Sequence, residues 1–132
     1  MNKIDTKETV EKFLSETHII LNSSTFDPSK NFYFIPTRSS GDDRNKNTLL
    51  DLDFTTSDVI DVIKSLTVSE YKETVIDNMP GKKKPFFCFV KFIVKEQVYI
   101  KFKISETKDS QVFCISFHYV DYVVKDSEFP YK

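Results

Sequence analysis

The chain has 132 residues, a formal net charge of −1 and 39% hydrophobic residues, enough for one domain with a single core and too few for two independent cores. Its apolar surface comes from Leu, Ile, Val and thirteen Phe, with two Gly and no Trp or Ala, so the core is built from large side chains. The near-neutral sum hides an asymmetry: residues 82–103 carry seven Lys and one acid, Glu96, while the remainder carries twelve basic and nineteen acidic residues. A local +6 beside −7 can steer a polyanion to one face, and equally well a Lys-rich edge can serve only solubility.

The amino-terminal segment reads as an amphipathic helix from about Thr6 to Glu16, with Asp5 or Thr6 as cap and Val10, Phe13 and Leu14 at helical spacing. His18-Ile19-Ile20-Leu21 is open as an extension of it, with His18 in a structural role. Asn22–Lys30 is turn-like, and Asn31–Ile35 forms a short aromatic strand stopped by Pro36. Arg38–Asn47 is expected as a polar, mobile loop. Thr55-x-x-Asp58 resembles a capping box and opens a helix through Leu66, with Val59, Ile60, Ile63 and Leu66 as its buried stripe.

After Thr67 the period becomes alternating, which predicts strands near Glu70–Ile76, Pro85–Val94, Gln97–Ser105 and Gln111–Tyr119. The expected fold is therefore α+β: an antiparallel meander packed against two or three helices in a single domain spanning residues 1–132. Asn78–Lys84 is a turn-rich link ending in Lys82, Lys83 and Lys84, which can touch phosphate or simply be a solvated turn.

Alternation assigns side chains to faces. Val98, Ile100, Phe102 and Ile104 match Phe113, Ile115 and Phe117 as an inward set, leaving Tyr99, Lys101, Lys103, Ser116 and His118 outward. On the preceding strand Phe86, Cys88, Val90, Phe92 and Val94 are expected inward, placing Lys91 outward with Phe87 and Phe89. By pattern alone a Tyr/Lys alternation is more often a solvent face. The functional reading is a metal-free surface for RNA.

Cleaving RNA without a metal requires removing the 2′-OH proton, stabilising the phosphorane-like charge and protonating the leaving 5′-oxygen. Lys91 and Lys101 suit the charge, His118 suits acid or base duty near neutrality, and Tyr99 can hydrogen-bond the reacting group or stack on a base. Cys88 and Cys114 lie in apolar, aromatic runs where a thiol acts as a small hydrophobe, and there is no C-x-x-C or Cys/His cluster. No metal or cofactor is expected. The first twenty residues lack signal-peptide features and no apolar run reaches membrane-spanning length, so a reduced, cytoplasmic protein without membrane association is expected.

From about Thr37 to Tyr119 the chain resembles the MqsR-like messenger-RNA interferase toxins of the RelE superfamily. The resemblance rests on Thr37-Arg38-Ser39, on Leu50-Asp51-Leu52-Asp53-Phe54 ahead of the helix, on Tyr71-Lys72 after it, and on Gln97-Val98-Tyr99-Ile100-Lys101 followed by Ser116-Phe117. It implies a compact RelE/MqsR-like RNase fold and a metal-independent endoribonuclease that inhibits growth as the toxin of a type II toxin–antitoxin pair. The implied partners are a cognate antitoxin protein and messenger RNA, and whether cleavage takes place on the ribosome is left open. The family's catalytic Tyr falls on Tyr99, the Lys of its Tyr-Lys pair on Lys72 with one residue gapped, and its Lys after Ser-Phe on His118.

The catalytic set expected is thus Tyr99, His118, Lys101, Lys91 and Lys72, with Lys82, Lys83, Lys84, Lys103 and Arg38 on RNA. Two other classes compete with it: a non-catalytic mobile-element protein that binds nucleic acid through the same basic sheet, and an inhibitor that binds a host protein.

Overall fold

The computed structural model describes residues 2–37, 41–76, 84–106 and 109–132. A two-residue strand, β1 (Asn2–Lys3), precedes helix α1 (Lys7–Leu21), whose first turn is closed by Thr6 accepting the Thr9 amide at 3.2 Å. Thr6 is the cap, and His18–Leu21 belong to the helix. The buried stripe is Val10, Phe13, Leu14, Thr17 and Leu21. A short helix, α2 (Pro28–Asn31), capped by the Asp27 carboxylate on the Ser29 amide at 2.9 Å, turns the chain into β2 (Phe32–Phe34).

Helix α3 (Arg44–Leu52) occupies part of the segment expected to be a loop, and ends at Asp53 with φ 56°. Helix α4 (Thr56–Ser65) begins where the capping box predicts, with the Thr55 amide donating to Asp58 at 2.8 Å. A 3₁₀ turn at Val68–Glu70 leads to β3 (Tyr71–Val75), β4 (Phe86–Ile93), β5 (Glu96–Glu106) and β6 (Ser110–Tyr119), and a second 3₁₀ turn lies at Asp126–Glu128. Among the described residues no helix is long and apolar enough to cross a membrane.

The strands form one six-stranded sheet in the order β1-β3-β4-β5-β6-β2. β3 to β6 make the expected antiparallel meander, but β2 pairs with β6 in parallel, so the α+β fold has a mixed sheet instead of a purely antiparallel one. A long excursion through α3 and α4 separates β2 from the meander, which frees its direction from the hairpin constraint. Helix α1 covers one face. Phe13 stacks on Phe87 at 3.9 Å between ring centroids and contacts Phe102 at 5.1 Å, while Phe89 stacks on Phe102 at 5.6 Å.

This packing reverses the expected faces of β4. Phe87 and Phe89 point into the helical core opposite Phe102 and Ile100, while Cys88 and Val90 lie opposite Lys101 and Tyr99 on the other face. Lys91, opposite Val98, is therefore on the helix side and pairs with Glu70 at 3.0 Å. On β6 the parity changes within the strand. Phe113 lies opposite Lys103 and Cys114 opposite Phe102, but Ser116 lies opposite Lys101, so Ile115 is the additional residue of a β-bulge. Phe113 is outward, contrary to the alternating reading, and Ser116 and His118 are outward as expected.

The bulge is held by α3. Asn45, 4% exposed, donates from Nδ2 to the carbonyls of Ile35 at 2.8 Å and Ile115 at 3.0 Å and accepts the Phe117 amide at 2.9 Å. One turn later the Thr48 hydroxyl accepts the Tyr119 amide at 3.1 Å. Beyond the three residues paired with β2, α3 thus takes the place of a neighbouring strand along β6.

Replacing Asn45 with Ala removes the side-chain partner of three backbone groups, the buried Phe117 amide and the part-buried Ile35 and Ile115 carbonyls; a loss of roughly 2–4 kcal/mol is expected, read as a lower urea midpoint at unchanged slope. Val94, exposed at the β4–β5 turn, has φ 59°, an unfavourable conformation for a β-branched residue. Val94→Gly is expected to raise stability by about 1 kcal/mol in the same assay.

Candidate active site

The sheet face opposite α1 carries its polar groups in rows set by the strand register. Tyr99 lies across from His118 and Val90, and two residues along, Lys101 lies across from Ser116 and Cys88. On β3 a second bulge, between Tyr71 and Glu73, makes Lys72 the additional residue and puts Glu73 opposite Cys88. Two bulges therefore flank the rows, a common device for re-aiming side chains beside a site.

Tyr99, His118, Lys101, Ser116, Lys72 and Glu73 line a cavity of about 390 Å³ together with Arg44 from α3 and Val120–Val124 and Glu128 from the carboxy-terminal segment. Of the expected catalytic set, Tyr99, His118, Lys101 and Lys72 share this cavity. Lys91 is not among them; it lines a different recess beside Glu70 and Phe129. Lys103 lies one row further along the same face, its Nζ 4.7 Å from the Phe86 ring centroid. Lys84 lies beside α1, in a recess with Thr9 and Lys12. Arg38, Lys82 and Lys83 are outside the described residues.

His118 is 7% exposed. Its Nδ1 is 2.8 Å from the Tyr119 carbonyl oxygen, and because a carbonyl only accepts, Nδ1 carries the proton and the lone pair of the neutral ring is on Nε2. Burial lowers its pKa below the ordinary histidine value, with the Tyr119 hydrogen bond opposing and the Arg44 charge adding to the effect. Tyr99 is 5.6 Å from the His118 ring between centroids and donates its hydroxyl to Cys88 Sγ at 3.0 Å. Burial pushes the Cys88 thiol up to about 11, so it remains neutral beside Tyr99.

The cations are not isolated. Arg44 grips Asp42 through two nitrogens, with Nη2 2.9 Å from Oδ2, and its Nη1 is 3.6 Å from Asp121. Lys72 is 3.6 Å from Glu73, and Lys101 lies over the Phe86 ring at 5.3 Å. Three cations, Arg44, Lys72 and Lys101, and three acids, Glu73, Asp121 and Glu128, line the cavity. The arrangement offers a neutral base of fixed tautomer, a phenol and cations within one pit. Among the described residues no group of three or more His, Cys, Asp or Glu is placed to hold a metal ion.

Sequence reasoning missed Arg44, Glu73 and the whole carboxy-terminal contribution. Thr48, Leu49 and Leu52 at helical spacing were a signal for α3 and hence for Arg44. The terminal segment carries no comparable pattern; it is seated by Gln97, which donates to the Val124 carbonyl at 2.9 Å and accepts the Val124 amide at 2.7 Å, and by Val124 and Phe129 packed on Val90. Comparison with protein-family models, with curated proteins and with solved structures finds no match to this chain.

Because the folded pKa of His118 is depressed, its stability contribution is complete above the unfolded value of 6.5 and is lost as pH falls through the folded value. Urea midpoints of the wild type should decline from about pH 7 to pH 5, and His118→Gln should flatten that decline. An imidazole titrating above 6.5 by NMR would contradict the burial argument.

Proposed function

We propose that this protein is an endoribonuclease toxin of the MqsR-like type, which cuts messenger RNA without a metal, acts in the cytoplasm on free or ribosome-bound message, and is neutralised by a cognate antitoxin protein. The observation that supports the reading is the convergence of His118, Tyr99, Lys72 and Lys101 in one cavity, with His118 neutral and Nε2 as its proton acceptor.

In this mechanism Nε2 of His118 takes the proton from a ribose 2′-OH, and the oxygen attacks the adjacent phosphorus. Lys101 and Lys72 stabilise the charge gathering on the non-bridging oxygens. The P–O5′ bond breaks, and the leaving oxygen takes a proton from the Tyr99 hydroxyl, giving a 2′,3′-cyclic phosphate and a 5′-OH end. Proton transfer by one positioned group is worth roughly 10²- to 10⁴-fold. Lys91 has no part in the chemistry, because it faces the helix side.

One observation favours a second reading, a non-catalytic protein that binds nucleic acid or a host protein: the acids Glu73, Asp121 and Glu128 offset the three cavity cations. Induced expression with sequencing of cellular RNA 5′ ends separates the two. Growth arrest with new RNA ends is expected from wild type and from Lys91→Met, and neither from Tyr99→Phe/His118→Ala at equal soluble level. Each single variant should slow cleavage of an RNA oligonucleotide by roughly 10²- to 10⁴-fold. Equal cleavage by the double variant would reject this site, and salt-sensitive binding without cleavage would favour the second reading.

A further inference from the structure

The rows of the open sheet face continue beyond the cavity. Two residues along from Lys101–Ser116, Lys103 lies opposite Phe113, and Phe113 lies opposite Tyr33 on β2. Continuing the β4–β5 register from Phe87↔Phe102 sets Phe86 beside Lys103 on the other side. Lys103 Nζ is 4.7 Å from the Phe86 ring centroid and 5.8 Å from that of Phe113, and the Phe113 and Tyr33 rings are 5.2 Å apart, tilted by 54°. Tyr33 is 50% exposed at the sheet edge. This aromatic and cationic row has no part in the proton transfers proposed above.

We infer that Lys103, Phe113 and Tyr33 form a subsite for single-stranded nucleic acid, in which a base flanking the reacting phosphate stacks on Tyr33 and Lys103 contacts the backbone. Same-face rows on a strand are about 7 Å apart, a step close to the spacing of successive phosphates in an extended single strand. The step from Lys101 to Lys103 therefore follows a backbone leaving the cavity toward β2. Aromatic rings beside a cationic groove are how proteins hold single strands without reading sequence, because every base presents a π-face. A duplex cannot use Tyr33 in this way, since its bases are already stacked. Of the seven Lys in residues 82–103, Lys101 and Lys103 are placed on this face, where their charge complements a polyanion.

The inference rests on the reading of the cavity as a nucleic-acid site, but its test is binding, not cleavage. Fluorescence anisotropy with a labelled, uncleavable 2′-O-methyl single-stranded RNA should show affinity falling about tenfold in Tyr33→Ala and retained in Tyr33→Phe. Lys103→Gln should reduce the slope of log affinity against log salt by about one. Binding of a blunt RNA duplex should be the same in Tyr33→Ala and wild type. Unchanged single-strand affinity in Tyr33→Ala at wild-type thermal stability, or an equal loss in Tyr33→Phe, overturns the subsite, even if the protein proves to be a ribonuclease. Tyr33-dependent binding by a protein that makes no RNA ends upholds the subsite while rejecting the catalytic proposal.

Discussion

The bulge at Ile115, held by the Asn45 carboxamide, is the constraint on which the candidate site depends. Side chains alternate with a period of two, so a β6 strand that places Phe113 on the open face would place Ile115, Phe117 and Tyr119 there as well. The additional residue shifts the parity: Phe117 enters the helical core opposite Ile100, and Ser116 and His118 reach the open face opposite Lys101 and Tyr99. A bulge disrupts ladder hydrogen bonds, and Asn45 supplies partners to the Ile115 carbonyl and the Phe117 amide on either side of it. Helix α3 is placed by the same contacts. Its first residue, Arg44, is thereby carried to the cavity, so one buried amide couples the parity of β6 to the electrostatics of the site.

What could be read from the chain follows from how cleanly each segment alternates. Val98, Ile100, Phe102 and Ile104 alternate with Tyr99, Lys101 and Lys103, and the faces of β5 are as the pattern predicts. Phe86-Phe87-Cys88-Phe89-Val90 is buried throughout, with one face under α1 and Val90 on the other under Val124 and Phe129. A strand buried on both faces reads as a continuous apolar run, so its parity is not encoded in pattern, and simple alternation puts Lys91 on the wrong side with it. The capping box at Thr55 is local chemistry and was legible. Helix α3 is only half legible: Leu49 and Leu52 stand at helical spacing, but its first turn, Arg44-Asn45-Lys46-Asn47, is polar, and its buried members, Asn45 and Thr48, are held by hydrogen bonds to β6. The parallel direction of β2 is likewise a property of tertiary pairing that a three-residue strand cannot announce.

The carboxy-terminal segment completes the cavity by a different route. Gln97 uses its side-chain amide as a strand would use its backbone, donating to and accepting from Val124, while Val124 and Phe129 bury against Val90. Val120–Val124 then wall the pit that holds His118. The wall excludes water from the imidazole and brings Asp121 to Arg44. Desolvation and charge balance therefore arise together: the segment that lowers the histidine pKa also moderates the field of the cations beside it.

That combination bears on why, in the proposed mechanism, a histidine suits position 118 better than a lysine would. A lysine begins near 10.4 in water and would have to fall by about three pH units to serve as a base at neutrality. Burial and neighbouring cations can do this, but here the three cavity cations are offset by an equal number of acids. A histidine begins near 6.5, and any further depression by burial leaves it predominantly neutral at pH 7. The hydrogen bond from Nδ1 to the Tyr119 carbonyl then selects Nε2 as the accepting atom, a tautomeric choice that an ammonium group does not offer. In the proposed mechanism, a cavity with acids among its cations and a wall of chain across it would thus suit an imidazole base better than an amine, with Lys72 and Lys101 acting through charge.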